Sequence, residues 1–230
     1  MHFKCFLAVI CAVFAVVIAL LYAHTVGMRC ELMRAQEMTV LIDAGHGGAD
    51  NGTASADGTT EDGINLDISL QLYDLLRFCG FSARMTRLED VTVTDDSIDP
   101  SRGWKVNDMY ARLRQYDNAA FTVSIHQNHF SQSKYYGTQV FYGVKHTASK
   151  GLAETIQKQV VSFLQPQNTR AIKAAGDSIF LLDRTTRPAV IVECGFLSNP
   201  TEAQLLKTKQ YQQQMAFAIG CGILEYTAKG

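Results

Sequence analysis

The chain has 230 residues, with 21 Lys and Arg against 22 Asp and Glu, and its formal net charge at pH 7 is −1. This balance excludes a protein that binds nucleic acid by charge, because no basic excess is present to neutralise a row of phosphates. Hydrophobic residues make up 47% and charged residues 19% of the chain, which indicates one folded domain rather than a disordered chain. The six cysteines include no Cys-x-x-Cys pair, so we expect free, mostly buried thiols and no cysteine zinc site.

An uncharged, apolar run occupies residues 5–23 near the N-terminus. As a helix rising ~1.5 Å per residue it nearly spans a hydrocarbon core of ~30 Å. Lys4 precedes the run and favours an N-terminus on the cytoplasmic side. We therefore predict a transmembrane or signal-anchor helix within residues 1–30, with an uncleaved anchor favoured over a cleaved signal. Residues 31–37 then form a linker, and residues 38–230 form a domain outside the cytoplasm.

Past the linker, hydrophobic periodicity predicts strands that alternate with helices. In chain order we predict a strand at 38–43, a helix from 61 that ends at 79–80, a strand at 81–86, an acidic loop at 88–103, a helix at 108–115, strands at 121–126 and 138–142, a helix at 153–164, strands at 178–182 and 189–193, and a closing helix at 211–226. In the helix at 153–164 we expect Ile156, Val160, Phe163 and Leu164 to face the core. This alternation predicts a three-layer α/β/α fold with a central, mostly parallel sheet.

Three ionisable residues lie at the ends of predicted strands: His46 follows the first, His126 ends the third and Glu193 ends the last. The carboxyl ends of parallel strands meet at one edge of a sheet, so these side chains are expected to converge. With Glu61, at the start of a helix, they offer two imidazoles and a carboxylate for zinc, and a second carboxylate for proton transfer. A packed histidine or a buried ion pair would explain each residue singly, and no short metal motif such as H-E-x-x-H is present.

Four segments in order carry a family resemblance: residues 41–48 (LIDAGHGG), Glu61 with Asn65 and Leu66, residues 124–128 (SIHQN) and residues 192–200 (VECGFLSNP). Over residues 38–228 the chain resembles the zinc-dependent N-acetylmuramoyl-L-alanine amidases of the amidase-3 type. The resemblance implies a hydrolase that cleaves the amide bond between N-acetylmuramic acid and L-alanine in peptidoglycan. It also implies that His46, Glu61 and His126 bind one Zn²⁺ per chain and that Glu193 is the catalytic carboxylate.

The chain is similar to the germination-specific amidases of endospore formers in its compact layout of one N-terminal anchor and one catalytic domain. Two segments share this similarity, residues 168–170 (NTR) and residues 187–191 (RPAVI). This likeness implies a role in forming the muramic-δ-lactam of spore cortex, in the intermembrane space of the developing spore. The alternatives are a vegetative cell-wall amidase of cell separation or turnover, and a catalytically dead, membrane-tethered peptidoglycan-binding protein. A zinc deacetylase or peptidase would use the same ligand chemistry, but the residues around Glu193 argue against it.

The chain departs from the family pattern beside two of its motifs. Asp62 and Gly63 stand where the family usually has Lys and Asp, and a glycine weakens a helix by about 1 kcal/mol relative to alanine. Because both changes are expected to loosen the metal site, we expect an accessory or activating protein to steady it. Gln127 and His129 replace small residues that commonly flank Asn128.

Strand alternation assigns the neighbouring side chains to opposite faces of the sheet. It places His126 and Asn128 on one face and His129 on the other, so His129 is not expected to be a ligand. It also turns Cys194 away from Glu193, which predicts a packed thiol and not a nucleophile. We expect Asn128 and the acidic loop at 88–103 to contact substrate.

Overall fold

The computed structural model describes residues 16–18, 20–22 and 38–229 of the chain. The first two stretches are helical, and the rest of the predicted anchor and linker lies outside the described residues. Across the part that is described, no helix is both long enough and apolar enough to cross a membrane.

Strands and helices alternate along most of the described domain. In chain order they are β1 (Thr39–Ala44), α1 (Glu61–Phe78), β2 (Ser82–Met85), α2 (Trp104–Asp117), β3 (Phe121–Asn128), β4 (Gln139–Tyr142), α3 (Ala148–Phe163), β5 (Lys173–Ala174), α4 (Phe180–Arg184), β6 (Ala189–Phe196), α5 (Pro200–Leu206) and α6 (Lys209–Lys229).

The strands form one six-stranded sheet in the order β2-β1-β3-β6-β4-β5. β2, β1, β3 and β6 run parallel, β4 is antiparallel to β6, and β5 is parallel to β4. Both faces of the central strands are covered, so β1 and β6 are largely hydrophobic runs, and Val40, Leu41 and Ile42 are fully buried. The mostly parallel sheet that the sequence predicts is confirmed.

Helices cover both faces of the sheet, which makes the three predicted layers. On one face Ile68 of α1, Ile156 of α3 and Ile219 of α6 share the large core with Val40 and Ile42. On the other face a smaller cluster holds Leu41, Tyr116 of α2, Leu182 of α4 and Ile191. Alternate residues of β1 thus enter opposite cores, as a strand with a period of two requires.

Two local predictions are wrong. The segment predicted as a strand at 178–182 overlaps helix α4, which buries Leu182, and the edge strand is the two-residue β5. A short apolar run fits a strand and a buried helical turn equally well, so periodicity cannot separate them. Phe163 is 59% exposed and packs edge-to-face on Phe217 of α6 at the surface instead of entering the core.

The register of β3 on β6 positions the candidate site. His126 lies opposite Glu193, but Asn128 lies opposite Phe196, so β6 holds one extra residue in this interval. Such a bulge shifts the later side chains of the bulged strand to the other face. Residues directly opposite each other share a face, so His126, Asn128, Glu193 and Phe196 all project from one face of the sheet.

Candidate active site

The glycine-rich turn after β1 brings two histidines into contact. His46 adopts a left-handed conformation with φ of +59°, which non-glycine residues rarely do. A Cβ on Gly45 would lie 2.3 Å from the ring of His126, so only glycine lets that ring pass. As a result, the rings of His46 and His126 meet edge-to-face, with centroids 4.9 Å apart.

Glu61 lies between these two histidines. Its Oε1 is 2.9 Å from Nδ1 of His126, and its Oε2 is 3.4 Å from Nε2 of His46. Ligand atoms of all three residues fall within 4.8 Å of one another, and this is the group of potential metal ligands found in the described part of the chain. The structure thus brings together the three residues for which the sequence analysis predicts metal binding.

The charge distribution of this cluster suits a cation. Burial opposes ionisation of Glu61, but hydrogen bonds from His126 and His46 outweigh it and hold the pKa of the carboxyl far below its usual range. Burial also disfavours a charged His46, yet Glu61 and Asp50 raise the pKa of the imidazole to about 9. The position between these three side chains therefore favours a positive charge, as a metal ion would supply. Two imidazoles and a carboxylate fit zinc, and they leave a fourth coordination position open.

Neighbouring groups hold the Glu61 carboxylate in place. Asn65, one turn along α1, donates Nδ2 to Oε1 at 3.2 Å, and the backbone N–H of Gln127 donates to the same oxygen at 2.9 Å. The backbone N–H of Thr53 donates to Oε2 at 3.0 Å. The Gln127 side chain in turn donates to Oδ1 of Asn65 at 3.1 Å. Such partners fix the orientation of a ligand, and Gln127 therefore extends the network that orders the site.

Two buried arginines hold the turn that carries His46. Arg87 donates to the carbonyl oxygens of Ala44 at 3.0 Å and Gly45 at 3.1 Å. Arg112 donates to the carbonyl oxygens of Ala44 at 2.9 Å and His46 at 2.7 Å. Arg112 was not among the site residues predicted from the sequence. The available signal is its place on the buried stripe of α2, four residues before Tyr116.

Glu193 lies on β6 beside His126, outside the group of three potential ligands. Its Oε2 is enclosed and accepts no hydrogen bond from the described residues. Burial raises the pKa of Glu193 to about 7, with the charge of His126 opposing this shift and that of Glu61 adding to it. A carboxyl group that titrates near neutrality can both take up and release a proton at ordinary pH.

The remaining candidate residues differ in whether they are placed to meet a ligand. Asn128 is half-buried, and its side-chain amide makes no hydrogen bond with any residue that the structure describes, so it is free to meet a ligand. His129 is exposed and is not among the clustered ligands. Cys194 belongs to the large core, where burial raises the pKa of its thiol well above the usual range. Asp62 is buried beside Glu61 but does not join the cluster, and its Oδ1 has no hydrogen-bond partner in the described structure.

The acidic loop at 88–103 packs against the glycine-rich turn. Asp90 accepts a hydrogen bond from the backbone N–H of Gly48 at 2.7 Å, and Thr92 accepts one from Ala49 at 3.2 Å. The loop therefore lies beside the turn that carries His46, and its predicted contact with substrate stays a prediction.

Comparisons with known proteins agree on one family. The family model described as N-acetylmuramoyl-L-alanine amidase matches residues 40–225. The germination-specific N-acetylmuramoyl-L-alanine amidase of Bacillus subtilis (strain 168) is 32% identical over 194 residues, which cover 83% of this chain and 81% of the relative.

Two similar solved structures come from clostridia. The CwlD amidase of Clostridioides difficile, solved in complex with the GerS lipoprotein, has a TM-score of 0.78 and 38% identity, covering 84% of this chain and 100% of that one. An N-acetylmuramoyl-L-alanine amidase from Clostridium difficile 630 has a TM-score of 0.73 and 32% identity, covering 84% and 98%.

Proposed function

The chain belongs to the N-acetylmuramoyl-L-alanine amidase family, and we propose that His46, Glu61 and His126 hold one zinc ion per chain, with Glu193 as the catalytic carboxylate. The enzyme hydrolyses the amide bond between N-acetylmuramic acid and L-alanine in peptidoglycan. The observation that carries the assignment of the site is the approach of three potential ligand atoms to within 4.8 Å, beside the carboxyl group of Glu193, whose Oε2 is enclosed.

The residues of the site divide the chemistry between them. A zinc ion bound here would polarise the scissile carbonyl and lower the pKa of a bound water. Glu193 takes the proton of the attacking water and returns it to the amine of the departing L-alanine, so the proton balance closes on one side chain. Asn65, Thr53 and the backbone of Gln127 keep Glu61 oriented during this cycle. We assign Asn128 to substrate binding, since its amide is free and projects from the face that holds His126 and Glu193.

The relatives support a biological setting for the enzyme. Similarity to a germination-specific amidase supports a role in forming the muramic-δ-lactam of spore cortex. Peptidoglycan lies outside the cytoplasm, so the enzyme acts there, and for a spore enzyme this is the intermembrane space of the developing spore. We assign residues 1–30 to a membrane anchor or signal segment, 31–37 to a linker and 38–230 to the zinc amidase domain. The support for the anchor is the uncharged run at 5–23.

An accessory protein is the second part of this proposal. The C. difficile relative was solved with a lipoprotein bound, and we assign a partner of that kind to this chain. Asp62 and Gly63 support the idea, since they place a buried carboxylate and a helix-weakening residue directly after Glu61.

The test of the proposed function separates metal binding from catalysis. Glu193→Ala should keep about one zinc per chain but lose turnover by at least about a hundredfold, because positioned acid–base groups contribute factors of that size. Metal is measured by elemental analysis, and released peptides with a free N-terminal alanine are measured by mass spectrometry. His126→Ala should lose zinc, whereas His129→Ala, the matched exposed histidine, should keep both zinc and activity. Retained turnover in Glu193→Ala would contradict the assignment.

A further inference from the structure

A row of side chains crosses the sheet next to the site. In the register of β4 on β6, Gln139 lies directly opposite Glu193, and His126 lies opposite Glu193 on its other side. Opposite residues on adjacent strands project from the same face, so His126, Glu193 and Gln139 form one line over three strands. Gln139 therefore lies beside Glu193, on the side away from the potential metal ligands.

Arg170 is held against Gln139. Its Nε donates to the carbonyl oxygen of Tyr136 at 2.7 Å, and one terminal nitrogen donates to Oε1 of Gln139 at 3.2 Å. Its guanidinium lies 4.5 Å from the ring centroid of Phe196 and 5.8 Å from that of Tyr135. The bulge in β6 turns Phe196 to the face that carries Glu193, so the stacked guanidinium lies on that face as well.

The positive charge of Arg170 is not neutralised by an ion pair. No carboxylate of the described residues lies within ion-pair distance of its guanidinium, and its second terminal nitrogen makes no hydrogen bond with them. The charge of Arg170 acts to lower the pKa of Glu202, against the larger effect of burial, but the two side chains do not form an ion pair. The two oxygens of Glu202 instead accept hydrogen bonds from the backbone N–H groups of Phe196 and Gly137. In contrast, Arg112 pairs with Asp43 and Asp108.

The surroundings of Arg170 form a small basic and aromatic pocket. Lys134 lies 5.5 Å from the ring centroid of Tyr135 and likewise has no ion pair within the described chain. The pocket has a volume of about 140 Å³ and is lined by Lys134, Tyr135, Tyr136, Asn168, Thr169 and Arg170. A fixed guanidinium with free N–H donors is suited to binding a carboxylate through two parallel hydrogen bonds.

We propose that Arg170 binds a free carboxylate of the stem peptide, on the leaving-group side of the scissile amide. This inference rests on the proposed function, because it takes the line of His126 and Glu193 as the place of cleavage. The N-acetylated glycan carries no charge where its lactyl group is amide-linked, whereas the stem peptide carries carboxylates. The peptide therefore extends from Glu193 across β4 towards Arg170, and the glycan lies on the side of the 88–103 loop.

The experiment compares two substrates with three variants. The substrates are glycan fragments with an L-alanyl-D-glutamyl stem, one with free carboxylates and one with these carboxylates amidated. Arg170→Gln should raise KM for the free acid by about tenfold to a hundredfold, the range expected of a hydrogen bond to a charged group. Its kcat for the free acid should change little, because the lost contact contributes equally to the ground state and the transition state. Its KM and kcat for the amidated substrate should also change little, because that substrate lacks the carboxylate.

Arg170→Lys and Arg184→Gln are the matched variants. Arg170→Lys keeps the charge and should retain most of the preference for the free acid. Arg184 also stacks on a phenylalanine, Phe180, but it pairs with Asp183. Arg184→Gln should therefore leave KM and kcat unchanged for both substrates. An equal loss on both substrates in Arg170→Gln and Arg170→Lys would show a structural role and overturn the inference. If the wild-type enzyme cleaved neither substrate, the proposed function itself would fall.

Discussion

At the scale of single residues, Asp43 shows how a buried charge supports the site. It is fully buried at the end of β1, where Oδ1 accepts a hydrogen bond from Thr86 at 2.8 Å and Oδ2 accepts from Tyr116 at 2.6 Å and Ser124 at 2.7 Å. Arg112 completes the set with an ion pair. Since Arg112 also holds the carbonyl of His46, Asp43 fixes the arginine that orients the turn.

Asp43→Asn should lower the free energy of unfolding by about 3–5 kcal/mol at pH 7, the usual cost of breaking a buried ion pair. Burial opposes ionisation of Asp43, but Arg112 and hydrogen bonds from Ser124 and Tyr116 outweigh it and hold the pKa of the carboxyl far below its usual range. A lowered pKa in the folded state gives stability that is present above the unfolded pKa of about 3.9 and is lost as pH falls below it. The difference in the free energy of unfolding between wild type and Asp43→Asn should therefore become smaller in acid.

Urea denaturation at a series of pH values measures this difference. The control is Asp67→Asn on the exposed face of α1, which should leave the stability curve unchanged. A difference that stayed constant below pH 4 would show that the charge of Asp43 does not contribute to the stability of the fold.

At the scale of elements, the helices on one face pack so closely that they require small residues. A Cβ on Gly222 of α6 would lie 2.5 Å from Cα of Ile156 in α3, so the two backbones meet at this glycine. Gly63 in α1 is a glycine of the opposite kind, because a Cβ there would meet no atom within 4 Å. The first glycine is required by packing between helices, and the second only weakens its helix.

The two glycines should therefore respond to alanine with opposite signs. Gly222→Ala should destabilise the fold by about 1–3 kcal/mol, the usual cost of overpacking a core. Gly63→Ala should stabilise it by about 1 kcal/mol, because alanine is the better helix former. Chemical denaturation of both variants measures the change in the free energy of unfolding, and we expect the m-values to stay unchanged. Equal effects of the two substitutions would contradict this account of α3 packing on α6.

At the scale of the whole molecule, the site exists only once the domain is folded. His46, Glu61 and His126 come from the turn after β1, the start of α1 and the end of β3. Because the three potential ligands are far apart in sequence, we expect the proposed zinc binding to be coupled to folding. Anything that stabilises the folded site should then raise its zinc content.

A partner that steadies the folded site should therefore raise its zinc content. Co-purification with a candidate lipoprotein partner should bring the zinc per chain closer to one. It should also raise the free energy of unfolding by about 3 kcal/mol at a hundredfold excess over Kd, and so raise the thermal midpoint. Elemental analysis and calorimetry measure the two effects. The His126→Ala variant is the control, since the partner should not restore its zinc. Equal zinc with and without the partner would exclude this role.

Local patterns along the chain were sufficient for the order of most elements and the parallel centre of the sheet, and the resemblance to the amidase family singled out the three potential ligands. Hydrophobic periodicity reports burial residue by residue, and the motifs around His46, Glu61, His126 and Glu193 are contiguous in sequence. These signals need no knowledge of which segments are neighbours in space. Helix α5 was overlooked, although Asn199 caps it and Pro200 stands in its first turn, a recognised start signal.

Tertiary structure alone decided how distant side chains meet. The bulge that turns Phe196 to the face of Glu193 depends on the pairing of β6 with β3, and the placement of Arg170 depends on β4 lying beside β6. Arg112 has an ordinary helical context in the sequence, and its role follows from the carbonyls it reaches in a distant turn. The physical reason is that periodicity records whether a residue is buried, whereas register and packing between segments determine which partner it meets.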